Sequence, residues 1–216
     1  MKILLTADPP IPVPPAGYGG IERIVDGLVR NYRAHGHTVG PVSYTHLDVY
    51  KRQGEDIQTI FDVGANVGDW STDCAGVFGT AFIHSFEPVP ATYRVLASRV
   101  ESESRIIPHP FGLSNADGDA EFTYYGPENS FLSTMVAPVH DHLQSTRVSI
   151  KLRKGDDVLR ELSVSRIDLL KIDVEGMEHD VLEGLSNAFS EGRIGLVQFE
   201  KQPGNRLLKD LSLIHI

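Results

Sequence analysis

Residues 59–68 read T-I-F-D-V-G-A-N-V-G: an apolar, β-branched run that ends in an acid and a cluster of small, turn-forming residues. The pattern predicts a buried strand, a tight glycine turn and a helix start at Asp69-Trp70-Ser71. In an open α/β sheet a ligand sits at such a junction, outside the carboxyl ends of the strands. Asp62 falls at the strand tip, where a carboxylate can accept hydrogen bonds from a ligand or from backbone amides. Gly64 and Gly68 allow the chain to turn sharply and approach a ligand, with Asn66 between them. A second acid, Glu87, lies 19 residues beyond Gly68, at the end of the next predicted strand. It is either a ribose-binding carboxylate or only a polar strand end. The spacing D-x-G-x-N-x-G departs from the dinucleotide fingerprint G-x-G-x-x-G, so NAD is not the best fit. Further on, L-K-I-D-V-E-G-M-E at 170–178 brings Lys171, Asp173 and Glu175 to the same edge. His179 follows Glu175 at helical spacing, within reach of it.

Alternating strands and helices must position these residues. Strands are predicted at 57–63, 81–86, 105–108, 167–172 and 194–199, and helices at 66–78, 90–100 and 178–189. That alternation defines an α/β chain with a mainly parallel sheet. Asn115-Ala116-Asp117-Gly118-Asp119 is a strong turn signal before a strand at 120–125, and 148–152 alternates like a further strand. Asp156-Asp157 is expected to cap a short helix running to 162. At the N-terminus, 2–6 reads as a strand and a proline-rich stretch as an extended loop. Apolar residues at 21, 24, 25, 28 and 29 have helical spacing, and the chain then approaches a second strand near Val39.

The bulk properties bound the answer. With 216 residues the chain can bury a real core in one or two domains, and 41% hydrophobic with 23% charged residues is ordinary for a soluble fold. A formal charge of -9 and no basic stripe argue against nucleic acid as a partner. The single cysteine, Cys74, excludes an internal disulfide and fits a reducing, cytoplasmic setting. The apolar start is too short for a signal peptide or a membrane span. His140 and His142 lack nearby cysteine and make a poor zinc signature, so no metal is expected.

The motifs F-D-V-G-A-N-V-G-D-W-S, F-E-P-V-P-x-x-Y, G-L-S-x-x-x-G and L-K-I-D-V-E-G-M-E together resemble the FkbM family of class I S-adenosylmethionine-dependent methyltransferases. The resemblance implies a Rossmann-like, three-layer sheet over 54–210 that binds S-adenosyl-L-methionine. Asp62, Gly64, Asn66, Gly68, Glu87, Phe111 and Gly112 would then lie at the cofactor. Phe111 is either an apolar wall at the adenine edge or a core residue. Asp173 would place the methyl site or act as base, Glu175 would be second in that role, and Lys171 and His179 would orient or polarise the acceptor. Alternatively, Asp173 and Glu175 only cap the following helix. The implied reaction is O-methylation of a hydroxyl on a sugar, lipid or small metabolite, with no specific protein partner.

Residues 1–41 resemble instead the start of a GT-B glycosyltransferase, in which the G-G-I-E turn at 19–22 lies near the donor phosphates. Residues 43–53, S-Y-T-H-L-D-V-Y-K-R-Q, and 212–216 resemble translated sequencing-adapter sequence of the kind found in metagenomic gene predictions. On that reading the chain is a chimera. It has a foreign β-loop-α fragment at 1–41, an artefactual or linker segment at 42–53, a truncated methyltransferase domain at 54–210 and an artefactual tail at 211–216. Its sheet would lack the last two strands, and 194–199 would be an exposed apolar edge. The competing functions are a nucleotide-sugar-dependent glycosyltransferase and an inactive cofactor-binding remnant.

Overall fold

The computed structural model of the chain describes residues 2–7, 38–43, 56–126 and 145–199. The expected helix at 21–29, the segment 44–53, the loop 127–134, His140, His142 and the tail from 200 lie outside the described residues.

The strands are β1 (Lys2–Ala7), β2 (Thr38–Ser43), β3 (Thr59–Val63), β4 (Phe82–Phe86), β5 (Ile106–His109), β6 (Gly112–Ser114), β7 (Gly118–Tyr124), β8 (Thr146–Lys154), β9 (Ile167–Ile172) and β10 (Ile194–Phe199). The helices are α1 (Asp69–Val77), α2 (Pro90–Val100), α3 (Gly155–Glu161), α4 (Glu178–Gly184) and α5 (Ser186–Ser190). Seven strands form one sheet in the order β2-β1-β10-β9-β3-β4-β5, and every neighbouring pair is parallel. A second sheet has the order β6-β8-β7, with β7 antiparallel to β8.

Parallel strands are covered on both faces, so their sequences read as continuous apolar runs. Two cores result. Ile60, Ile83 and Leu169 face one layer with Cys74 of α1 and Leu96 of α2. Phe61, Leu170 and Ile172 face the other, against Val181 of α4 and Phe189 of α5. Neighbours in sequence, Ile60 and Phe61 or Leu169 and Leu170, point to opposite layers, as the pleat requires. Truncating a fully buried residue such as Phe61 to Ala would cost about 3–5 kcal/mol.

Three expectations are corrected. The apolar strand β10 is not a bare edge: β1 pairs with it in parallel from Lys2↔Leu196 to Leu5↔Phe199, and β2 pairs with β1. The backbone amides and carbonyls of β10 are met by a strand from the other end of the chain, which blunts the edge. The helix expected over 178–189 is divided at Leu185 into α4 and α5. Gly184 packs so tightly that a Cβ there would lie 1.9 Å from the Ser114 carbonyl oxygen. Asp156 does not cap its own helix. Its carboxylate accepts from the Asn187 and Ala188 amides, both at 3.0 Å, and so satisfies the open N-terminus of α5.

A buried pair joins β4 to β5. His84 Nδ1 and His109 Nε2 are 3.0 Å apart, and His109 stacks on Phe86 with centroids 4.7 Å apart. Burial pushes the His109 pKa down to about 4, with the charge of His84 adding to the effect, and burial lowers that of His84 as well.

Two outcomes follow from this packing. A chain starting after residue 43 should form aggregate several-fold faster than the full chain, roughly as exposed apolar edges do. Size-exclusion chromatography measures this, and an unchanged monomer would show that the β1–β10 pairing contributes nothing. For His109, neutrality in the fold gives a stability term that is complete above the unfolded pKa near 6.5 and is lost as pH falls toward 4. In urea titrations His109→Gln should therefore gain about 2 kcal/mol relative to wild type between pH 7 and pH 5.

Candidate functional site

The site begins where β3 stops. Its order reverses there: β4 and β5 extend to one side, β9 and β10 to the other. A crevice opens at such a switch point. The Gly64 and Ala65 amides both donate to the Phe86 carbonyl, at 3.1 and 3.0 Å, and the Asp173 amide donates to the Val63 carbonyl at 2.9 Å. The turn is thereby tied to the ends of both flanking strands. Gly64 (φ +81°) has no room for a side chain, because a Cβ would lie 1.8 Å from the Asp173 carbonyl oxygen. At Gly68 (φ +86°) a Cβ would meet Leu96 Cδ1 at 2.6 Å. Asn66 also takes a left-handed conformation, φ 49°, which Asn tolerates better than most residues.

Glu87, at the tip of β4, is buried and holds the next turn. One of its oxygens accepts from the Asn66 amide at 3.0 Å and the other from the Val89 amide at 2.8 Å. Burial raises its pKa to about 7, the two amides hold it back, and the charge of Asp62 pushes it further up. Each carboxylate oxygen keeps a second lone pair for a ligand. Asn66 Oδ1 is buried with no protein partner, and a buried acceptor in that state is costly unless a ligand or water supplies a donor.

Behind the turn lies a chain of charges. Lys171 Nζ donates to Asp62 Oδ1 at 3.1 Å and is 3.4 Å from Asp173 Oδ2. Ser71 Oγ donates to the second Asp62 oxygen at 2.6 Å and lies 2.7 Å from Ser85 Oγ. The Lys171 ammonium also sits 5.5 Å from the centre of the Trp70 ring, within cation–π range. Burial works against its charge, but Asp62 and Asp173 outweigh that and hold its pKa above the usual lysine value.

A cleft partly open to solvent lies over these groups. Of the residues expected at the site, Gly64, Asn66, Glu87, Gly112, Asp173 and Glu175 line it. The other expected site residues do not. Asp62 is fully buried beneath the turn, with its oxygens taken by Ser71 and Lys171. Lys171 is held between the carboxylates of Asp62 and Asp173. Gly68 packs on Leu96. Phe111 packs at a tilt against Phe86 and His109, with Arg153 over its ring at 5.5 Å. His179 is exposed on α4, beside Asp180 and Glu183. The Asn115 side-chain amide donates to both of those acids.

Sequence reasoning missed the cover of the cleft. Phe122 and Tyr124 of β7, with Ile150 and Leu152 of β8, line it from the small sheet, and Pro88, Val89 and Thr92 line it from the start of α2. The signal was present: residues two apart in a strand share a face, and both pairs are large and apolar. Among the described lining residues three are acidic and none is Lys, Arg or His.

Comparison with known proteins fits this geometry. The family described as "Methyltransferase FkbM domain" matches residues 62–211. The hexuronic acid methyltransferase AglP of Haloferax volcanii is 30% identical over 149 residues, 68% of this chain and 57% of that protein. Methyltransferase sdnD of Sordaria araneosa is 32% identical over 155 residues, 58% of this chain and 60% of that protein. Methyltransferase 1 of Beauveria bassiana is 28% identical over 170 residues, 68% of each chain. The chain thus spans little more than half of the first relative, and the family match begins at Asp62, near the end of β3, and takes in the turn, β4 and β9 with the acids that line the cleft. On that shared core, the chain belongs to the FkbM-domain family of methyltransferases.

Proposed function

We propose that the chain uses S-adenosyl-L-methionine to methylate a hydroxyl on a sugar, lipid or small metabolite. The observation that carries this is the charge of the cleft: Glu87, Asp173 and Glu175 line it, and no basic residue does among those described. Such a surface favours a cationic ligand and repels a phosphorylated one. S-adenosylmethionine supplies a methyl group on a positively charged sulfur, together with an amino group and a ribose. A nucleotide sugar or NAD would bring a pyrophosphate into contact with three carboxylates, which argues against the glycosyltransferase alternative.

Each residue has a place in this reading. Glu87 accepts the ribose hydroxyls with its free lone pairs, and Asn66 Oδ1 accepts a ligand donor that would meet its buried, unpartnered state. Gly64 lets the backbone pass close to the ligand, where any side chain would collide with Asp173. Asp173, with one oxygen engaged by Lys171, provides a fixed negative charge near the sulfonium. Asp173 or, second to it, Glu175 takes the acceptor's proton, since both line the cleft. Phe122, Tyr124, Ile150 and Leu152 cover the cleft and exclude water, which strengthens the electrostatic contacts inside. A sugar or small-metabolite acceptor is supported by the Haloferax relative, which is named for hexuronic acid.

Calorimetric titration of the purified chain with S-adenosylmethionine, UDP-glucose and NAD tests the reading. Heat with the first alone is expected, and its absence from a cooperatively unfolding protein would overturn the proposal. The ribose contact adds a pH signature. Two hydroxyl donors prefer the ionised Glu87, whose pKa of about 7 leaves it mostly protonated at pH 6. Affinity should therefore be about tenfold weaker at pH 6 than at pH 8. Glu87→Gln should bind more weakly at pH 8 and lose most of that slope.

A further inference from the structure

The chain of charges behind the turn does not balance. Asp62 and Asp173 bring two carboxylates to the one ammonium of Lys171, at 3.1 and 3.4 Å. Ser71 and Ser85, which complete the network on the Asp62 side, are neutral. One negative charge is left over in a place that water barely reaches. The Asp62 side chain is 0% exposed and that of Lys171 10%. The Asp62–Lys171 pair alone joins β3 to β9 with no net charge, and Asp173 adds a second carboxylate to it. Its open end is on the ligand side: the Asp173 side chain is 26% exposed and lines the cleft.

We propose that the Asp62–Lys171–Asp173 triad is the element by which the cleft distinguishes a cationic sulfonium from a neutral thioether. This rests on the S-adenosylmethionine reading above. A cation seated over Asp173 completes a neutral group of four charges. The sulfonium carries one positive charge before methyl transfer, and the thioether that remains, S-adenosylhomocysteine, carries none at sulfur. The triad therefore holds the substrate form and loosens its grip on the product form. Lys171 is a positioning residue here. Its ammonium fixes the Asp173 carboxylate from behind and links it to Asp62, whose charge acts on the ligand without contact. Buried charges are little screened by salt or solvent, so a residue outside the cleft still contributes. The raised pKa of Lys171 agrees with an ammonium that stays charged throughout.

The test uses the full chain and two ligands, S-adenosylmethionine and S-adenosylhomocysteine. Dissociation constants are measured by calorimetry at pH 8.5, where Glu87 is ionised in every variant. The quantity read is the ratio of the two constants. Asp173→Asn should shift this ratio toward the thioether by on the order of tenfold, the size expected for one nearby charge in a partly buried site. Asp62→Asn should shift it in the same direction by a smaller factor, although its side chain does not line the cleft. A merely structural role would weaken both ligands alike and leave the ratio unchanged. An unchanged ratio in folded Asp173→Asn, checked by circular dichroism and cooperative unfolding, overturns the proposal. If Asp62→Asn fails to fold, Asp173→Asn decides alone. A wild-type chain that binds neither ligand overturns the cofactor reading itself. One that binds both with a ratio insensitive to the variants overturns only the triad's role.

Discussion

The close approach of the β3 turn to the end of β9 is the constraint on which the site depends. Gly64 and Asp173 pass so near that no Cβ fits between them, and the Asp173 amide bonds the Val63 carbonyl. A positive φ at Gly64 and the lack of a side chain are both required. That single contact sets the distance between β3 and β9 at their carboxyl ends. It thereby places Asp62 opposite Lys171 and brings Asp173 to the cleft. The same turn is tied to β4 by two amides on the Phe86 carbonyl, so Glu87 is delivered beside Asn66. Two carboxylates from strands far apart in the chain end up on one wall.

Burial acts on these groups in opposite ways, and the partner decides the outcome. Glu87 meets two backbone amides and a lesser pull from the charge of Lys171, so desolvation wins and its pKa rises to about 7. Lys171 is at least as deeply enclosed, yet two carboxylates keep it charged. Breaking such a pair by removing one partner leaves an uncompensated buried charge, which costs far more than a surface ion pair contributes. The exposed Arg99–Asp69 contact at 2.5 Å belongs to the weak class. The enclosed Asp62–Lys171 contact belongs to the strong one.

The sheet also shows how an edge is managed. β10 carries the buried Leu196 and Val197 and would be a template for aggregation if left unpaired. Strands β1 and β2, from a stretch whose sequence resembles a different enzyme class, extend the sheet at that edge in parallel register. Backbone pairing asks little of side-chain identity, so a short aliphatic strand of foreign appearance can serve. The cleft lies at the β3–β9 junction, with β10 between it and these strands.

Local patterns carried much of this architecture. The apolar runs of β3, β9 and β10, the Pro at the start of α2 and the glycine turn at 64–68 are all signals confined to a few residues, and they placed strands, helix and crevice correctly. The motif residues that are close in sequence to a strand tip, Gly64, Asn66, Glu87 and Asp173, reached the cleft as their positions implied. Other placements were not open to such reasoning. Asp62 looked like a ligand contact from its place at a strand end, and became part of a buried network only because Lys171, 109 residues away, faces it. Phe111, His179 and the division of the last helix were likewise settled by what packs against them. The sequence by itself determined the kinds of element and the stock of acids, because backbone turns and hydrophobic periodicity are local. Only the tertiary structure decided which acids line the cleft, which are buried among partners and what covers them. Burial and Coulomb interaction depend on distance through space, and the sequence does not carry that distance until the chain has folded.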